Sequence, residues 1–240
     1  MALCSGLVRQ WSEAIICCGG MMGSGNLERL KMDRFHVAPR AVELSSAAAQ
    51  RRYPQLWAPL QDLVSRLRPL PDGLVRFWLK EPGGHVVVTH LSSRYEPGKG
   101  RLKNTTLHNV AYVSASDLAE NPIDALAPIG SLLDHLLGNA GGEEGAWLSE
   151  GGGVQQALRE LGLRVAELFP LGYGFDEAAC ADIRSYFARS FALYLQDRQR
   201  LNVADPLIER ILRTLLSEAF WRSKHMRLVV GGEQSAGLAT

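Results

Sequence analysis

Apolar positions along the first third of the chain recur at helical spacing. Leu56, Leu60, Leu63, Val64 and Leu67 make one stripe, which predicts a helix over Val42–Leu67 broken by Pro54 and Pro59. The run RPLPDG, with Pro69, Pro71 and Gly73, ends it. The pattern then changes to β-branched and aromatic residues. LVRFWLK (Leu74–Lys80) and HVVVTHL (His85–Leu91), separated by EPGG, predict a β-hairpin. Tyr95 leads into EPGKGR, which reads as a further turn, and NVAYVS (Asn109–Ser114) as a third strand. Alternation in HVVVTHL would set His85 and His90 on opposite sheet faces, so they would not share one ion.

From Pro122 onward the periodicity is helical. Gly138–Gly153 is a glycine-rich loop, and helices are predicted over Val154–Phe169 and Ile183–Leu195. A last helix starts with Asp205 as N-cap and Pro206 at the first position, and runs through Phe220. The order predicts an α+β fold: a small antiparallel or mixed sheet followed by a helical bundle.

Composition adds bounds. At 240 residues, 46% hydrophobic and 21% charged, the chain falls among globular proteins. A net charge of +1 gives no footprint for nucleic acid or an anionic membrane. The basic cluster Arg94, Lys99, Arg101, Lys103 reads as a solvated hairpin loop. No run of 18 apolar residues predicts a membrane span. Cys4, Cys17, Cys18 and Cys180 lack ligand-like spacing, and a reduced, cytoplasmic protein is expected. Residues 1–31 read as a disordered extension, with Met32 as an alternative start. A single domain is expected over 32–225 and a flexible tail over 226–240.

The chemistry centres on Ala127–Gly138, APIGSLLDHLLG. A zinc peptidase helix carries His-Glu-x-x-His because residues four apart share a face, so both imidazoles reach one ion. The glutamate takes a proton from the zinc-bound water. LLDHLLG here, and YFARSFALYL at Tyr186–Leu195, resemble the two signatures of the anthrax lethal factor-like zincins. Phe187, Ala188, Phe191, Ala192 and Tyr194 match the second signature, and the resemblance spans roughly Leu74 to Ile211. It implies a zincin-like fold.

The ligand letters are replaced together. Ala127 and Ser131 stand at the histidine positions, Pro128 at the base and Arg189 at the third-ligand glutamate. Arginine does not ligate zinc, and its fixed cation opposes a dication. Pro128 predicts that the helix begins there or is kinked. The resemblance therefore implies a metal-free, catalytically inactive domain that binds a peptide or protein, with no cofactor. Its cleft would be lined by Ser131, Asp134, His135, Tyr173 and Arg189, with Arg189 holding a carboxylate or pairing with Asp134. Ser131 and Arg189 are expected to face one cleft between helices 128–138 and 183–195.

One alternative is a divergent zinc metallopeptidase with relocated ligands, built from His135 with His108 or His90. Another is a structural α+β protein. Tyr173 is a loose counterpart of an oxyanion-binding tyrosine. GKG lacks Walker spacing, Gly151–Gly153 reads as a helix lead-in, and Asp176/Glu177 and Glu143/Glu144 as solvated acids.

Overall fold

A computed structural model describes residues 25–102, 105–172 and 174–223. In chain order its elements are α1 (Gly25–Arg34), β1 (Phe35–Val37), α2 (Ala47–Arg52), α3 (Ala58–Arg66) and α4 (Asp72–Lys80). Then come β2 (His85–Thr89), β3 (Arg94–Leu102), β4 (Thr105–Ser114), α5 (Ala115–Glu120) and α6 (Pro122–Asn139). The remainder is helical: α7 (Gln156–Leu168), α8 (Glu177–Cys180), α9 (Ile183–Gln196), α10 (Arg198–Ala204), α11 (Pro206–Leu215) and α12 (Glu218–Arg222). The architecture is α+β.

The strands form a four-stranded mixed sheet among the described residues, in the order β1-β2-β4-β3. β1, β2 and β4 run parallel, and β3 pairs antiparallel with β4 at the edge. One face places Val86, Val88, Ala111 and Val113 in the main core, which also takes in Leu132, Leu133 and Phe187. The other face carries a smaller cluster of Val87, Leu107, Val110 and Tyr112.

Several expected elements change type. Leu74–Lys80 is not a strand but most of α4. Leu74, Val75, Phe77 and Trp78 are buried, while Asp72 and Arg76 pair one turn apart at 3.2 Å. Aromatic and β-branched residues favour strands only weakly, and packing of this apolar face against the core overrides them. There is thus no hairpin across EPGG. The tight turn brings Trp78 Nε1 within 2.8 Å of the Gly84 carbonyl, which it donates to. His90 falls beyond the end of β2, so the opposite-face pairing with His85 does not arise.

EPGKGR is not a turn but the middle of β3. A bulge between Glu96 and Lys99 accommodates Pro97, which lacks an N–H, and Gly98 at φ 76°. Asn109 (φ 55°) accepts from the Gly98 N–H at 2.8 Å and donates to the Gly141 carbonyl at 2.9 Å. One side chain thereby ties the edge strand to the loop after α6. Arg94, Lys99 and Arg101 accordingly lie on a strand, not in a hairpin loop, and Lys103 is outside the described residues.

The predicted helix over Val42–Leu67 divides into α2 and α3. The expected disordered extension is corrected from Gly25 onward: α1 buries Leu27 and Leu30. Residues 1–24 and the expected tail at 226–240 lie outside the described residues. The last predicted helix starts as expected, with Asp205 Oδ1 accepting from the Ile208 N–H at 3.0 Å, but ends at Leu215 and resumes as α12.

Candidate functional site

α6 carries the site, and it begins six residues before Pro128. Pro122 supplies the first-turn proline, and Pro128 sits inside the helix at a cost of about 3 kcal/mol. Ala125, Leu126, Ile129, Leu132, Leu133, Leu136 and Leu137 are buried along α6, and this apolar burial offsets the lost hydrogen bond.

α6 packs along α9. Their backbones approach closely at Gly130, where an added Cβ would lie 2.6 Å from the Ala188 carbonyl oxygen. α9 is set by its N-cap, Asp182, which accepts from the Ser185 N–H at 2.9 Å. Its apolar face, including Phe187 and Phe191, turns to the core.

Beside this crossing lies an open cavity of about 370 Å³. Ala127, Pro128 and Ser131 of α6 line it with Ser185, Ala188 and Arg189 of α9. Ala127, Pro128, Ser131 and Arg189, the residues singled out by the resemblance, thus line one cleft. Ser92 to Tyr95, at the start of edge strand β3, form another wall with Asp117. That wall is held by serines: Ser93 Oγ donates to Asp117 at 2.6 Å and accepts from the Ser114 N–H at 2.9 Å.

Arg189 spans the cleft. Its Nη1 donates to Asp124 of α6 at 2.6 Å, and its Nη2 and Nε donate to Asp176 at 2.6 to 3.1 Å. Burial opposes the charge on Asp176, but Arg189 and the Ala179 N–H prevail and hold its carboxyl below the ordinary value. Burial likewise opposes the guanidinium, and the two carboxylates outweigh it. Asp176, expected to be solvated, is both the N-cap of α8 and the bidentate partner of Arg189. Sequence reasoning missed Asp124 and Asp117 as well. The capping patterns around Asp117 and Asp176 were the available signals.

Asp134 and His135 do not line this cavity. Asp134 is 0% exposed and accepts from the Ser149 N–H and hydroxyl, both at 2.7 Å. Burial pushes its carboxyl up to about 7 against the pull of those two bonds. The expected Arg189–Asp134 pair is therefore absent. Asp134 sits three residues on from Ser131, about 60° round the helix, which turns it into the core while Ser131 lines the cleft.

His135 is 3% exposed and stacks on Trp147 at 4.6 Å. Its Nε2 donates to the Gly142 carbonyl at 2.9 Å, leaving Nδ1 to accept from the Tyr95 hydroxyl at 2.7 Å. Both ring nitrogens are occupied, so His135 has no free lone pair to share with His108, which is exposed on β4. Tyr173 lies outside the described residues.

Alanine, proline, serine and a doubly paired arginine do not fit zinc. Among the described residues no group of three or more His, Cys, Asp or Glu side chains could hold a metal ion. Among the same residues no helix is long and apolar enough to cross a membrane. Comparison of the chain with protein-family models, with curated proteins and with solved structures found no match.

Proposed function

We propose that this chain is a zincin-like domain without its metal, whose cleft binds an extended peptide or protein segment and has no peptidase activity. The observation that carries this reading is the convergence of Ala127, Pro128, Ser131 and Arg189 on one cavity. Two distant stretches of sequence, each resembling a zincin signature and each lacking its ligands, meet at this cavity.

The edge strand supports a peptide as the occupant. β3 bonds β4 on one side, and its opening residues border the cleft. A segment pairing with the outer edge of β3 would gain main-chain hydrogen bonds and send alternate side chains into the cavity. Arg189, Asp124 and Ser131 would then face those side chains.

The test is titration of the purified protein with a library of short unstructured peptides, read by calorimetry, beside elemental analysis for zinc. Binding is expected in the wild type and expected to fall at least tenfold in Ser131→Trp, whose ring fills the cavity. Equal binding by both proteins overturns the cleft assignment. Stoichiometric zinc that resists dialysis overturns the metal-free reading.

A further inference from the structure

The opposite edge of the sheet carries a histidine pair unrelated to the cleft. His36 of β1 and His85 of β2 place Nε2 and Nδ1 3.1 Å apart, with ring centroids at 5.3 Å. On the far side of His85, Nε2 meets Arg34 Nη1 at 3.5 Å. An arginine only donates, which assigns Nε2 of His85 as acceptor and puts its proton on Nδ1. That proton is donated to Nε2 of His36. One proton fits between the rings, and both histidines are neutral.

The pair sits where the N-terminal segment joins the sheet. β1 is only three residues long and among the described residues pairs with β2 alone, and the Ala38 N–H extends this ladder to the Val88 carbonyl at 2.8 Å. Arg34 also donates to the carbonyls of Leu79, Glu81 and Pro82, which keeps a fixed cation beside the rings.

We infer that His36 and His85 form a proton-sensitive clasp. A proton added to Nε2 of His36 sets N–H against N–H, breaks the link between the strands and loosens α1–β1 from the sheet edge. A metal ion between the rings is disfavoured by the adjacent guanidinium.

The charged and titratable groups that act on the pair are Arg34 of α1 and His108 of β4, and Asp33 and Glu81 act in turn on Arg34. Burial, then His36, Arg34 and His108, push His85 down to about 4, against a weaker pull from the Arg34 carbonyl. Burial and Arg34 lower His36 too. The loosened state has an ordinary histidine near 6.5 and takes up the proton first. Attachment is therefore complete above about pH 6.5 and is lost as pH falls from there toward 4.

Amide hydrogen exchange, corrected for intrinsic rates, tests this in the full chain. Between pH 7 and pH 5, amides of residues 35–38 are expected to lose about thirtyfold in protection. Amides of α6 and α9 are expected to keep theirs. Unchanged protection at residues 35–38, or an equal loss throughout the molecule, overturns the clasp. In His36→Gln/His85→Gln the pH dependence is expected to vanish, and its persistence overturns the assignment to these rings. Nitrogen-15 shifts of the wild-type histidines decide the case independently of that variant's folding. His85 protonated on Nδ1 and neutral at pH 6 is expected, whereas an ordinary midpoint or the other tautomer contradicts it.

Discussion

Asp134 and Asp176 are perturbed in opposite directions, and the signs separate their roles. Asp134 is buried with no ion-pair partner among the described residues, and burial outweighs the distant Arg184, so the folded state keeps a proton that the unfolded chain releases. Its contribution is full at low pH and is lost as pH rises from about 4 to about 7. Asp134→Asn, which still accepts from the Ser149 N–H, is expected to flatten the stability profile in that window, measured by urea unfolding. Asp134→Ala strands two buried donors and is expected to cost about 2–3 kcal/mol. Asp176 behaves in reverse. Its Arg189 pair is present above the ordinary carboxylate range and is lost as pH falls below it. Arg189→Met leaves Asp124 and Asp176 without their shared cation, and a loss of about 1–2 kcal/mol is expected. Adding Asp176→Asn is expected to restore part of that loss, and strict additivity in this cycle would argue against direct coupling.

Among the elements, α6 and α9 decide the geometry of the cleft. Their contact depends on Gly130, because the atoms an added Cβ would meet belong to the Ala188 backbone. Gly130→Ala gains helix propensity of about 1 kcal/mol, yet overpacking is expected to win and leave a net loss of about 1–2 kcal/mol. A thermal midpoint at or above wild type would show that the helices shift apart without strain. Helices α6, α7, α9 and α11 were legible in the sequence because long apolar stripes, and for α11 the Asp205 cap with Pro206, signal themselves locally, whereas the short α8 and α10 were not. α4 was not, because LVRFWLK fits both a short strand and a helix face, and only tertiary packing arbitrates. β3 was hidden for a related reason. EPGKGR has turn composition, and its bulge takes a hydrogen bond from outside the segment, the Gly98 N–H donating to Asn109 of the partner strand.

For the molecule as a whole, the crossing of α6 with α9 brings together residues about sixty positions apart. The meeting of Ser131 with Arg189 was expected from the paired signatures, whereas the inward turn of Asp134 and His135 needed the helix phase to be known. The partners of Arg189 come from α6 and from the residue before α8, and no local pattern joins them. As proposed, an extended segment adds to β3 and enters the cleft. The most direct measurement is amide exchange across the chain with and without a saturating peptide selected from the library. Binding at the cleft is expected to slow exchange at the outer amides of β3 and along residues 92–95, with β1 unaffected. A bound peptide that leaves β3 unprotected, or that protects only another face, would contradict the account.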